Sequence, residues 1–168
     1  SISSQVRANP TYGQSIVSYT GNATSGATIG HGLNSTPEMI IVKNRDANAN
    51  WAVLHKDIAS DYETDYLTLN GSGASVDNTA YWNDTEPTNQ VFSVGNDNDT
   101  NQNSNPLIAY CFHSVSGYSK FGSYSGNGSA TGTSVTTGFR PAFLMIKKNA
   151  ASNWLMFDNV RSDSIVTD

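Results

Sequence analysis

The sequence predicts an all-β fold, an antiparallel β-sandwich built from an internal duplication whose second copy is incomplete. Three observations carry that prediction: a turn-rich composition poor in charge, short apolar runs at strand spacing, and a motif written twice. Only 14% of the 168 residues are charged, and abundant Gly, Ser, Thr and Asn leave few strong helix formers and many turn formers. Hydrophobic residues still reach 37%, enough for a core, so the polar stretches read as loops and not as a disordered tail.

Residues 1–14, opening SISSQVRANP, read as an N-terminal arm or linker. Strands are expected near 15–20, 38–44, 50–55, 64–69, 90–94 and 107–113, each a short apolar or alternating run bounded by Gly, Asn, Asp or Pro. TDYLTLN alternates with period two, as a strand with one face in a core does. MIIV and FLMI are continuous, the pattern of strands buried on both faces. NGSGASVDNT (70–79) and GNDNDTNQNSNP (95–106) are too polar to be buried and belong at the ends of a sandwich. GNGSATG (126–132) is expected to be a hairpin loop: no Lys-Ser or Lys-Thr follows it, and no helix to hold a phosphate.

The repeat aligns IVSYTGNATSG (16–26) with FGSYSGNGSATG (121–132), then EMIIVKN with AFLMIKKN, at a period of about 105 residues. Tyr19 falls on Tyr124, Pro37 on Pro141 and Trp51 on Trp154, a set that reads as the core of each copy. Gaps fall only in polar loops, where insertions cost least. The expected organisation is a first sandwich repeat over 15–117 and a partial second repeat over 118–168, packed on the first or on a neighbouring chain. The second copy has no counterpart of VFSVG or PLIAYCF, which leaves an unpaired edge or an apolar groove. The N-terminal arm, a strand from another subunit, or further chain of a longer parent polypeptide are the expected covers.

SIVSYTGN, IGHGLNSTPEMIIVKNRDANANWAVLHKD, VFSVG, IAYCFHSVSGYSKFGSYSGNG, GFRPAFLMIKK and NWLMFD together resemble a family of repeated domains of unknown function. Those domains occur in virion proteins of tailed bacteriophages, notably marine and cyanobacterial ones, and the resemblance runs from Val6 to Arg161. It implies a non-enzymatic structural role, in a tail fibre or another externally displayed part of the virion, and brings no catalytic residues with it. The expected partners are other virion or filament subunits, in a homo-oligomer, and a host-surface glycan met through loops such as 71–89 and 95–106. Two alternatives are a carbohydrate-binding module of an extracellular or cell-surface protein, and a filament subunit completed by strand donation.

The chemistry visible in the residues is sparse. A net charge of −5 and a pI near 4.9 argue against tracking a phosphate backbone, and no apolar run is long enough for a membrane-spanning helix. His31 stands in a Gly-flanked bend and His55 and His113 end strands, at spacings wider than local metal motifs use. Cys111 alternates with apolar neighbours, the pattern of a buried, inert thiol. No cofactor is expected apart from a candidate Ca2+ site, with Asp97, Asp99 and Asp84 as the carboxylates, although neither stretch completes an EF-hand loop. Tyr81 and Trp82, adjacent in a polar stretch without counterpart in the second copy, are the candidate exposed surface for stacking against a glycan.

Overall fold

The computed structural model describes residues 1–161, and the chain is an all-β protein with two single-turn helices. In order the elements are β1 (Ser4–Asn9), β2 (Gln14–Thr20), β3 (Ala27–Gly30), β4 (Met39–Asn44), β5 (Trp51–His55), β6 (Asp65–Thr68) and β7 (Val76–Asp77). There follow α1 (Thr79–Trp82), β8 (Val91–Val94), α2 (Asn98–Asn101), β9 (Pro106–Phe112), β10 (Phe143–Ile146) and β11 (Leu155–Asp158). Seven strands form one antiparallel sheet in the order β1-β2-β9-β4-β5-β6-β7, while β3 pairs with β8 and β10 with β11.

Period-two alternation sorts the large sheet into two faces. Ile40, Val42, Ala52, Leu54, Val17, Tyr19, Leu107, Ala109 and Cys111 meet Ile29, Phe92 and Val94 of the β3–β8 pair and Tyr81 and Trp82 of α1, and this is the main core. A fully buried aliphatic or Phe side chain there contributes about 1.5–3 kcal/mol. On the opposite face Met39, Val53 and Leu67 join Ile58, with Phe121, Met145 and Trp154 from the second copy against them. The architecture is therefore sandwich-like, with a smaller second layer of core on the outer face of the sheet.

The six expected strands lie within one or two residues of β2, β4, β5, β6, β8 and β9. The N-terminal arm differs from expectation: β1 pairs with β2 over six residues, and Ile2 N–H donates to Thr28 O (2.8 Å) in the other sheet. It thus closes the edge of the first copy and leaves the second uncovered. SQVRAN carries too few apolar residues to announce a strand, because an edge strand exposed along its length needs only its ladder bonds. FLMI is also corrected, since Phe143 is 57% and Leu144 38% exposed where burial on both faces was expected. GNGSATG forms a turn closed by Asn127, which accepts from Ser129 N–H (2.9 Å) and donates to Gly132 O (2.7 Å), but no strand flanks it.

The polar stretch 95–106 was expected at the surface, and the reverse holds for its centre: Asp99, Thr100 and Asn101 of α2 are buried. Gly95 makes the inward path possible, because a Cβ there would stand 2.1 Å from Ala80 O.

Candidate functional site

The most informative geometry is the pair of hairpins β4–β5 and β10–β11. In the first, Met39 faces His55, Ile40 faces Leu54, Ile41 faces Val53 and Val42 faces Ala52. In the second, Phe143 faces Asp158, Leu144 faces Phe157, Met145 faces Met156 and Ile146 faces Leu155, the same register residue for residue. The lysine ending each apolar run does the same work: Lys43 Nζ donates to Asn44 O (2.5 Å) and Ala47 O (3.3 Å), and Lys147 Nζ to Lys148 O (2.7 Å) and Ala150 O (3.1 Å).

Burial separates them. Ile40, Val42, Ala52 and Leu54 are at most 1% exposed, whereas Leu155 is 50% and Met156 59% exposed, and Val160 lies bare just beyond. By strand alternation Phe143 and Met156 lie on one face of this two-stranded sheet and Leu144 and Leu155 on the other, so both faces carry exposed apolar side chains. The remaining core pairs divide in the same way. Tyr19 is buried and its hydroxyl donates to Thr100 O (2.7 Å), while Tyr124 is half exposed. Pro37 is buried and Pro141 half-buried. Trp51 and Trp154 both pack, on different neighbours: Trp51 lies 6.5 Å from the ring of Tyr110, and Trp154 Nε1 donates to Thr68 O (2.9 Å). The second copy is anchored on the first through that bond, through Asn149 Nδ2 to Ile58 O (2.6 Å), and through the backbone bonds Ser75 N to Asn149 O and Ser152 N to Ser72 O.

Tyr81 and Trp82 do not form an exposed stacking surface. Asn78 caps α1 by accepting from Ala80 N–H (3.1 Å), and the turn so formed drives both rings inward, Tyr81 to 5% and Trp82 to 0% exposure. Tyr81 lies parallel to Tyr66 at 3.6 Å, and its hydroxyl donates to Asp99 Oδ2 (2.8 Å); burial, reinforced by that carboxylate, pushes the phenol far up from its ordinary range. The adjacent aromatics were misread because a polar neighbourhood conceals a capped turn.

The three candidate Ca2+ carboxylates are likewise dispersed into structural work. Asp97 caps α2 by accepting from Asp99 N–H (2.8 Å), and burial raises its carboxyl above the ordinary range. Asp99 accepts from Asn50 N–H (2.9 Å) and Asn50 Nδ2 (3.1 Å) in addition to Tyr81. Asp84 is exposed in a left-handed turn. No group of three or more His, Cys, Asp or Glu among the described residues is arranged to hold a metal ion.

Sequence reading missed the polar knot that replaces such a site. Asn101 Nδ2 donates to Gly95 O (2.6 Å) and Thr24 O (3.1 Å) while its oxygen accepts from Asn22 N–H (2.9 Å). Asn44 Nδ2 donates to Asn98 O (3.0 Å) and Gln102 Oε1 (2.7 Å), and its oxygen holds the backbone of Asp46 and Ala47. Buried amides saturated in this way tie three loops at one end of the sandwich. The signal present in the sequence was Asn-Asp-Asn-Asp, which is a helix-capping pattern as much as a solvated loop.

His31 is fully buried, with Nε2 donating to Thr88 O (3.1 Å) and Nδ1 accepting from Leu33 N–H (3.1 Å), an arrangement that fits the neutral ring; burial lowers its pKa. Burial also lowers His55 and pushes the Cys111 thiol up to about 12, and the cysteine is buried as expected. On the outer face of the sheet a shallow groove of about 310 Å³ runs over β1, β2 and β9, lined by Arg7, Asn9, Gln14, Ile16, Tyr110 and Phe112.

The all-β fold and its paired hairpins define a β-sandwich-like module. The family described as a domain of unknown function (DUF7483) matches residues 1–168, and the chain belongs to that family. No curated protein and no solved structure matches the chain.

Proposed function

We propose that the chain is a non-enzymatic structural module of a phage virion, carried in a tail fibre or another externally displayed protein, and that it works by assembly with other subunits. One observation carries the assembly part: β10–β11 repeats the register of a core hairpin and leaves Phe143, Leu144, Leu155 and Met156 exposed. Apolar residues at positions that build a core elsewhere in the same chain are surface designed for a neighbour. The virion part is supported by the likeness of the ordered motifs to repeated domains of tailed-phage particles. Labelled antibody against the chain, applied to intact particles whose genome encodes it, should decorate them; unlabelled particles would overturn the virion reading.

A second reading, a carbohydrate-binding module, loses Tyr81 and Trp82 and is favoured by the groove beside Tyr110. There a half-buried phenol with Trp51 alongside offers an apolar platform, rimmed by Arg7, Asn9 and Gln14 as hydrogen-bonding groups. Glycan-array binding that disappears in Tyr110→Ala supports it, and binding that persists removes the groove from consideration.

A further inference from the structure

The turn after each repeat tyrosine is built the same way in both copies. Asn22 Oδ1 accepts from Thr24 N–H (2.9 Å) and Asn127 Oδ1 from Ser129 N–H (2.9 Å). The residue between lies in the left-handed region in each, Ala23 at φ 52° and Gly128 at φ 68°. What differs is the peptide nitrogen that follows each asparagine. Ala23 N–H donates to Asn101 O (2.9 Å), and the alanine methyl stands beside it. Gly128 N–H meets no acceptor among the described residues, and none of their atoms lies within 4 Å of where a Cβ would stand. The sequence holds one other Asn-Gly pair, Asn70-Gly71. There both partners are held: Gly71 N–H donates to Thr68 O (3.2 Å), Asn70 Oδ1 accepts from Trp51 N–H (2.9 Å), and Asn70 Nδ2 donates to Asn50 Oδ1 (3.1 Å).

We infer that Asn127 is a site of spontaneous covalent modification, deamidation through a cyclic imide, and that the fold protects Asn70 and Asn22 from the same reaction. The Gly128 backbone nitrogen, its proton lost to solvent base, attacks Asn127 Cγ. The new N–C bond closes a five-membered ring and the Cγ–Nδ2 bond breaks, with Nδ2 leaving as ammonia. Water then opens the ring at either carbonyl, giving aspartate or the isomer whose backbone runs through the former side-chain carbon. No electron is transferred, and water is the one reagent added. Asparagine is thermolabile by this route, and glycine after it lacks the Cβ that would crowd the attack. The bond from Ser129 N–H draws charge from the Asn127 side-chain carbonyl and makes Cγ more open to attack. Residues 122–136 are all exposed, so the swing that ring closure requires is a local opening of low cost. At Asn70 the same swing must break the bonds to Trp51, Asn50 and Thr68, and at Asn22 the attacking nitrogen is both bonded and crowded. Either product adds a negative charge and removes the Asn127 Nδ2 donor from Gly132 O (2.7 Å), which loosens the turn over 127–132. The modification is independent of the assembly reading.

The test holds the full chain, folded, at mildly alkaline pH and follows its tryptic peptides by mass over time, with isoaspartate counted by isoaspartyl methyltransferase labelling. Peptide 121–140 contains Asn127 as its sole amide side chain, so replacement of ammonia by water there has one possible position. Asn127 should convert at least about tenfold faster than Asn70, with Asn22 intact over the same interval. In urea, where the fold no longer protects, Asn70 should convert as fast as Asn127, and Asn22, still followed by Ala23, should stay slow. Gly128→Ala, which places the first copy's residue in an exposed turn, should slow conversion at Asn127 by about tenfold or more, with an unaltered melting temperature confirming folding. Equal rates at Asn70 and Asn127 in the folded chain would overturn the protection. Conversion of Asn127 in urea but not in the folded chain would overturn the site, and an unchanged rate in Gly128→Ala would overturn the route through the following nitrogen.

Discussion

Hairpin β4–β5 sets Ile40 against Leu54 and buries both; hairpin β10–β11 sets Leu144 against Phe157 in the same register and leaves Leu144 38% exposed. The two share a proline before the first strand, a lysine that bridges the connecting loop, and a tryptophan where the second strand begins. Register is thus written locally, in the turn and the alternation of the strands. Burial is not local. It comes to β4–β5 from β9 and β6 on its edges and the β3–β8 pair across its face, and among the described residues β10–β11 has none of these. A duplicated sequence repeats a hairpin faithfully and repeats a core only where the whole set of neighbours is repeated with it.

The sharpest way to break this comparison is to truncate matched residues. Ile40→Ala should lower stability by about 2–5 kcal/mol, since it opens a cavity in a closed core, while Leu144→Ala should cost less than about 1 kcal/mol. Urea unfolding of the two variants decides it, and equal losses would mean that the second hairpin is covered after all. Next in size is Asp99→Ala, which strands the Tyr81 hydroxyl and the Asn50 amides of the first copy. A loss of about 2–3 kcal/mol is expected in the same measurement, whereas Asp84→Ala, exposed in its turn, should be nearly silent.

Acid sharpens the contrast, because all three histidines lie in residues 1–117. Burial lowers the pKa of His31 and His55 below the ordinary histidine value, so the unfolded chain binds more protons than the folded one in the window between the two values. Their contribution is complete above the ordinary value and is lost as pH falls from there through the depressed one. Stability should rise with pH across that window by at most about 1.4 kcal/mol per unit for each histidine. Removing the titration in His31→Gln should flatten the slope, and a slope as steep as the parent's would contradict the buried neutral ring. A small effect is also expected from Trp154→Phe, which loses the bond to Thr68 O at a cost of about 1 kcal/mol or less. Its signature is faster tryptic cleavage after Lys147 and Lys148 with the first copy intact.

The strands of the first copy were legible because each is a short apolar or alternating run between turn formers. The duplication was legible too, down to a pairing of β4 with β10 that the register reproduces. What escaped was whatever depends on partners far away in sequence. β1 is polar and owes its form to β2; Tyr81 and Trp82 are turned inward by a cap on Asn78; Asp99 and Asn101 are buried because Tyr81, Asn50, Gly95 and Thr24 meet their polar atoms. The same limit hid the exposure of FLMI, whose apolar run is that of a core strand and whose surroundings are not.

Native-state hydrogen exchange on the free chain measures the difference between the hairpins most directly, by comparing the amides of Met39–Asn44 with those of Phe143–Ile146. Exchange in β10 should be faster than in β4 by about a hundredfold or more, through local opening that leaves the large sheet intact. Equal protection of the two strands would contradict the view that the second hairpin stands open for a partner.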